Sequence, residues 1–282
     1  MQSLEQQGKR VAHGAAVSPL METLMRAGYV TRGLVYGIIG VLALQVLFGG
    51  GGTLTDPQGA IAVMGKTPLG GVVLYAVLIG LVGYGLWGLI RAVLDPLHKG
   101  ADPKGITERV GYLVSGISYT LLAVSTYGLI TGGASGARSG AQTAQTQQGA
   151  ATILAQPWGA WVVGLAAVII IGVGLRQIYQ GLQSKFDQQF TPYVLNSNQR
   201  NWITRLGQFG TAARGLVFTL IGVFLFQAAY TNDASRAQGI DGVLTTLLRQ
   251  PAGPWLLGIV ALGLIAFGLY SVMSGVWLRL KR

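Results

Sequence analysis

The 282-residue chain contains no cysteine, which excludes disulfides, thiolate metal sites and cysteine nucleophiles but leaves the compartment on either side open. Histidine is almost as scarce. His13 and His98 both lie in polar stretches, and no His or Cys cluster offers metal-ligand spacing, so no metal and no cofactor are expected. Acidic residues number nine, and none falls inside an apolar run. That absence excludes an aspartyl intramembrane protease pair and weakens proton- or sodium-coupled transport, which usually needs a membrane-embedded carboxylate. Ser115, Ser118 and Ser125 share an apolar run, with no histidine or lysine in any run to activate them, so a serine hydrolase is not expected. The chain is read as non-enzymatic.

Charged residues make up only 10% of the chain, hydrophobic residues 51%, and glycines number 44. Soluble domains carry about a quarter charged residues, so this balance points to the membrane. Six predominantly apolar runs, near 27–48, 69–92, 110–131, 158–180, 210–230 and 254–278, are each long enough to cross a hydrocarbon core of about 30 Å as a helix. Residues 1–20 hold no apolar core of a cleaved signal, so insertion is expected to use the first span itself. All basic residues but Lys66, Arg138, Arg236 and Arg249 lie in or beside the N-terminal segment, the loops near 93–109 and 181–209, and the C-terminal tail. The positive-inside rule then places both termini in the cytoplasm. The net charge of +11 is spread over helix ends, which fits anionic lipid headgroups and argues against nucleic acid.

A two-helix unit recurs three times. Aligned on one glycine, Gly28, Arg32 and Gly33 match Gly111, Ser115 and Gly116, and also Gly210, Arg214 and Gly215. Downstream, Gln58-Gly59-Ala60 matches Gln148-Gly149-Ala150 and Gln238-Gly239-Ile240. A Pro-x-Gly follows each, at Pro68/Gly70, Pro157/Gly159 and Pro251/Gly253, and then a Gly-Leu pair at Gly85, Gly174 and Gly268. The units divide the chain into a polar segment 1–20 and repeats over 21–98, 99–185 and 186–282. Two spans per unit make successive units enter from the same side, so they are related by an axis along the membrane normal. The expected fold is all-α, a polytopic six-helix bundle with approximate threefold symmetry. Gly33, Gly37 and Gly40 stripe one face of the first helix, as small residues do where helices approach closely in lipid. Repeat glycines and prolines are accordingly assigned packing roles.

Between paired spans, apolar residues such as Ile61, Met64, Ile153, Leu154, Val243 and Leu244 predict short amphipathic helices at the interface, with Trp158, Trp161 and Trp255 as anchors beyond them. The Gly-, Ala-, Ser-, Thr- and Gln-rich stretch 131–149 is expected to be a flexible loop. Gly83-Tyr84-Gly85-Leu86-Trp87-Gly88 spells a dinucleotide fingerprint, but it lies inside a span and carries no strand-to-helix context.

The tandem Arg-Gly helix, Gln-Gly-Ala segment, Pro-x-Gly and Gly-rich second helix resemble the bacterial membrane-protein family called domain of unknown function 1206. The resemblance covers about residues 20–280 and implies three two-helix units in the bacterial cytoplasmic membrane, with no catalytic signature. The middle unit departs from it in Ser115, so a role for the arginine cannot be strictly threefold.

Polar residues left inside the spans are Arg32 and Arg214, Gln45 and Gln227, and Ser115. Both arginines lie near span ends, where a long side chain can snorkel, so contact with lipid phosphate or another anion is expected. Gln45 and Gln227 are expected to bond between helices, and Tyr36, Tyr84, Trp87 and Tyr119 to pack, with contact to a hydrophobic cofactor the sharper alternative. Two functions follow. One is an accessory or scaffold component that binds lipid or, through 181–209 or the bundle, a membrane protein complex. The other is a channel or facilitator for a small solute or anion, guarded by Arg32 and Arg214.

Overall fold

Each unit folds as a long helix, a short helix and a second long helix. The computed structural model describes residues 19–95, 100, 102–133, 140–183 and 197–277. Unit 1 comprises α1 (Pro19–Leu47), α2 (Pro57–Gly65) and α3 (Gly70–Leu94). Unit 2 comprises α4 (Pro103–Ile130), α5 (Ala141–Leu154) and α6 (Gly159–Leu182). Unit 3 comprises α7 (Ser197–Thr231), α8 (Ile240–Leu248) and α9 (Gly253–Trp277), with a short 3-10 turn at Ala234–Arg236. The six long helices are each long and apolar enough to cross a membrane. This is a multi-pass membrane fold.

Local chemistry sets the helix ends. α2 and α4 start at Asp-Pro pairs, where Asp56 and Asp102 accept hydrogen bonds from the Gly59 and Gly105 amides and proline occupies the first helical position. Gly70, Gly159 and Gly253 close the turns from short to long helix. A Cβ at any of them would collide with the carbonyl of Gly65, Ile153 or Leu248, so the Pro-x-Gly glycine is required by the turn.

The long helices form a ring in chain order, and each junction between units is a glycine contact. A Cβ on Gly33 would lie 2.6 Å from the Gly268 carbonyl oxygen, and one on Gly215 would lie 2.7 Å from that of Gly174. At the third junction a Cβ on Gly88 would lie 2.8 Å from the Gly116 Cα. Backbones in such contact gain dispersion that lipid cannot supply. Within units 1 and 3 the two long helices also pack, α1 on α3 and α7 on α9. In unit 2 they do not, and α4 and α6 at most graze one another.

The short helices cap one end of the ring, opposite the chain ends. Their apolar residues, expected to face an interface, turn into the bundle. Ile61, Val243 and Leu244 are fully buried and share one core with Ile39, Leu257 and Leu264 of the long helices. Trp161 and Trp255 stand outside this cap, 83% and 79% exposed. The expected flexible loop is also partly helical: α5 takes up Ala141–Leu154, whose alanines and glutamines are good helix formers.

Candidate functional site

Carrying the repeat alignment to further positions explains the bundle interior. Eight residues after the first repeat glycine stand Tyr36, Tyr119 and Phe218; just before the Gly-Leu pair stand Tyr84, Val173 and Phe267; three residues after its glycine stand Gly88, Gln177 and Ser271. The arginines sit among these columns.

Arg32 donates from Nε to Ser271 Oγ at 2.9 Å and from Nη1 to the Tyr84 hydroxyl at 2.6 Å. Its guanidinium also lies 4.7 Å from the Tyr29 ring centre and 4.9 Å from that of Phe267. It is buried, so the expectation of a snorkelling side chain fails here: hydroxyls and ring faces inside the bundle replace the headgroup. Arg214 keeps the counterpart of Ser271, donating from Nη1 to Gln177 Oε1 at 2.6 Å, but takes its hydroxyl from a different column, donating from Nε to Tyr36 at 3.1 Å, with the rings of Phe218 and Phe267 at 4.4 and 5.1 Å. Arg214 is only half-buried. Among the described residues no carboxylate pairs with either guanidinium, and the Nη2 group of Arg214 makes no hydrogen bond.

At the third equivalent place the side chains are missing. Ser115 stands for arginine, Gly88 for its polar partner and Val173 for the aromatic ring. A Cβ on Gly28 would meet Tyr84 Cβ at 2.5 Å and one on Gly210 would collide with Phe267, yet one on Gly111 meets nothing within 4 Å. The vacated volume is a cavity of about 380 Å³ that Ser115, Val173, Gly111, Phe218, Tyr119 and Arg214 help to line. It runs along α4 from Gly111 to Leu122 and along α7 from Arg214 to Leu225, about 16 Å at helical rise. Its middle is apolar, with Leu122, Ile170, Ile221 and Leu225, while Arg214 and Gln177 mark one end and Gln58, Gln142, Gln145 and Thr146 the other. Leu121, 64% exposed, and exposed Ser118 also line it, so it opens sideways between α4 and α6.

Polar contacts bridge the helices near both ends of the cavity. At the chain-end side Arg176 of α6 pairs with Glu108 of α4 at 2.7 Å. Glu108 lies outside the apolar run 110–131 but inside the helix: α4 begins at Pro103, well before that run, and the first turn of its membrane-length stretch Gly105–Ile130 includes Glu108. At the capped side the short-helix N-termini converge. Fully buried Asp56 caps its own helix through the Gly59 amide at 2.7 Å and accepts from the Gln142 amide of α5 at 2.8 Å. Gln142 and Thr143 in turn accept from the Ile240 and Gly239 amides of α8, and Thr143 donates to Asp241. Burial raises the Asp56 carboxyl above its ordinary range, against the lowering effect of the two amides. Gln58 joins this cap to the bundle, donating to Gln145 and accepting from Ser125.

The remaining candidates do not converge. Gln45 and Gln227 are exposed on the outer surface and stand apart from the cavity. Arg91, which the sequence reading passed over, is buried with its Nε unbonded and lies over Tyr112 at 4.2 Å and Trp87 at 5.3 Å. Within the partner segment 181–209, residues 184–196 lie outside the described residues, as do both histidines. Gln177, Val173 and Glu108 were also missed, although the first two were readable by extending the repeat alignment beyond its glycines.

Three segments of the chain, 27–95, 110–183 and 209–278, match the family described as Domain of Unknown Function (DUF1206). The chain is also 32% identical over 259 residues to "Uncharacterized protein YxxB" of Bacillus subtilis (strain 168), with 92% of each chain covered. No solved structure matches it.

Proposed function

The chain belongs to the DUF1206 family, and on the geometry of its middle unit we propose that it is a non-catalytic integral membrane component that binds lipid. The observation that carries this is the cavity between α4 and α6, where the two helices hardly touch and exposed Leu121 and Ser118 form part of the lining. A slot with apolar walls and polar ends, reached from the side, suits a molecule already dissolved in the membrane. Among the described residues its lining pairs no nucleophile with a base and its charge is a guanidinium, which supports a binding role. The charge pattern of the sequence supports cytoplasmic termini in a bacterial cytoplasmic membrane. The basic belt serves anionic headgroups, and the 181–209 segment is the surface for a membrane protein partner.

The channel reading is the weaker one. Conduction needs a path along the axis, where the buried cap residues Ile61, Val243 and Leu244 stand at one end and the Arg176–Glu108 pair at the other. The test is native mass spectrometry of protein released from lipid nanodiscs. The parent should keep one lipid, and Val173→Phe, which restores the aromatic residue of the other units, should lose it. A parent that emerges bare, or a variant that keeps the lipid equally well, would reject the reading.

A further inference from the structure

We infer that the ligand of the middle-unit cavity is an anionic amphiphile, its phosphate or carboxylate head held by Arg214 and its chain lying along α4 and α7 toward the cap. The inference rests on reading this cavity as a lipid site, and it adds the ligand's charge, orientation and leaflet.

Three observations converge on it. Arg214 is a half-buried guanidinium inside a membrane bundle, with no carboxylate partner among the described residues. A charge in that position is costly unless something neutralises it. Tyr36 and Gln177 take Nε and one Nη1 donor, which fixes the plane of the group and leaves the Nη2 donors for a planar or tetrahedral oxyanion. Arg32 supplies the internal control. It holds the equivalent position, is equally unpaired by carboxylates and, like Arg214, is flanked by three aromatic rings, but it is buried and lies off the cavity, where Arg214 is half-buried and lines it.

The remaining wall gives the orientation. Gly111 and Ser115 leave room for a head beside Arg214, and from there Leu122, Ile170, Ile221 and Leu225 continue as an apolar channel for a chain. Gln177 is five residues from the end of α6 at Leu182, about 8 Å of helix. The head therefore sits a short way below the surface on the chain-end side, and the ligand comes from that leaflet by lateral passage between α4 and α6. Tying those helices together at Glu108–Arg176 leaves the passage above the ion pair open while holding its width.

The experiment uses the full chain in nanodiscs of equal phosphatidylcholine and phosphatidylglycerol, in phosphate buffer, with the retained molecule weighed by native mass spectrometry. The parent is expected to keep one phosphatidylglycerol, enriched about tenfold or more over phosphatidylcholine, as a charge-assisted contact allows. Arg214→Gln should keep a lipid without that preference, and Arg214→Lys should restore part of it. Ser115→Glu keeps Arg214 but sets a second anion in the cavity, and should lose the preference as well. Should Arg214→Gln fail to fold, Ser115→Glu carries the test. Retention of phosphatidylcholine as readily as phosphatidylglycerol by the parent, or undiminished enrichment in the folded variants, overturns the anionic ligand and leaves the lipid site standing. A parent that carries inorganic phosphate alone also overturns the amphiphile, and one that carries nothing removes both readings.

Discussion

Beside the first helix of each outer unit an arginine, an aromatic ring and a polar partner fill the space; beside that of the middle unit Ser115, Val173 and Gly88 of the first unit leave it empty. Arg32 and Arg214 have each recruited a polar partner from the preceding unit, Ser271 and Gln177, and the third pair in that series is Ser115 facing Gly88. The same unit loses the contact between its own long helices, because that contact depends in units 1 and 3 on Gly28 against Tyr84 and Gly210 against Phe267. A repeat protein thus makes a site by subtraction. Two copies supply the rigid frame, and a few small residues in the third supply the hole.

The comparison can be broken most sharply by one substitution made three times. Gly210→Ala drives a Cβ into the Phe267 backbone, and Gly28→Ala drives one into Tyr84, so each should cost about 2–3 kcal/mol of stability. Gly111→Ala meets open space and should be neutral or gain up to about 1 kcal/mol from helix propensity. Thermal unfolding in one detergent ranks the three, and equal losses at all positions would deny that unit 2 is loosened. Next in size is Asp56→Ala, which removes the carboxylate that caps both α2 and α5 and should cost about 1–2 kcal/mol.

The pH dependence of Asp56 sharpens that prediction. Burial raises the carboxyl in the fold, so the folded chain holds this proton more tightly than the unfolded chain. Its contribution is full below the ordinary carboxylate range and is lost as the pH rises through the raised value. Melting curves of parent and Asp56→Asn should diverge from the ordinary carboxylate range upward, with only the parent losing stability from this group as the pH rises. Smallest of all, Glu108→Gln should cost about 1 kcal/mol, since the pair is partly exposed. Its larger effect should be on the spacing of α4 and α6, read by spin labels on those helices.

Much of the architecture was legible because glycine and proline spacing acts locally: Pro-x-Gly turns, the Gly33 and Gly215 contacts and the six spans all follow from short stretches of sequence. The interior was not, since Arg32 meets Ser271 and Arg214 meets Tyr36 only when units distant in sequence stand side by side. Proximity to a span end suggested snorkelling for Arg32, but ring faces and hydroxyls inside the bundle bind the guanidinium instead. The departure at Ser115 was visible from the alignment. Its meaning required Val173, whose change from an aromatic residue matters only beside the missing arginine. Glu108 was hidden by a boundary drawn where hydropathy rises, although the helix starts earlier at its Asp-Pro cap.

The most direct measurement is an experimental density map of the protein in phosphatidylglycerol-containing nanodiscs. The account predicts one elongated feature between α4 and α6, its head against Arg214, with no counterpart beside Arg32. Closed packing of α4 on α6, or an empty cleft in lipid, would contradict it.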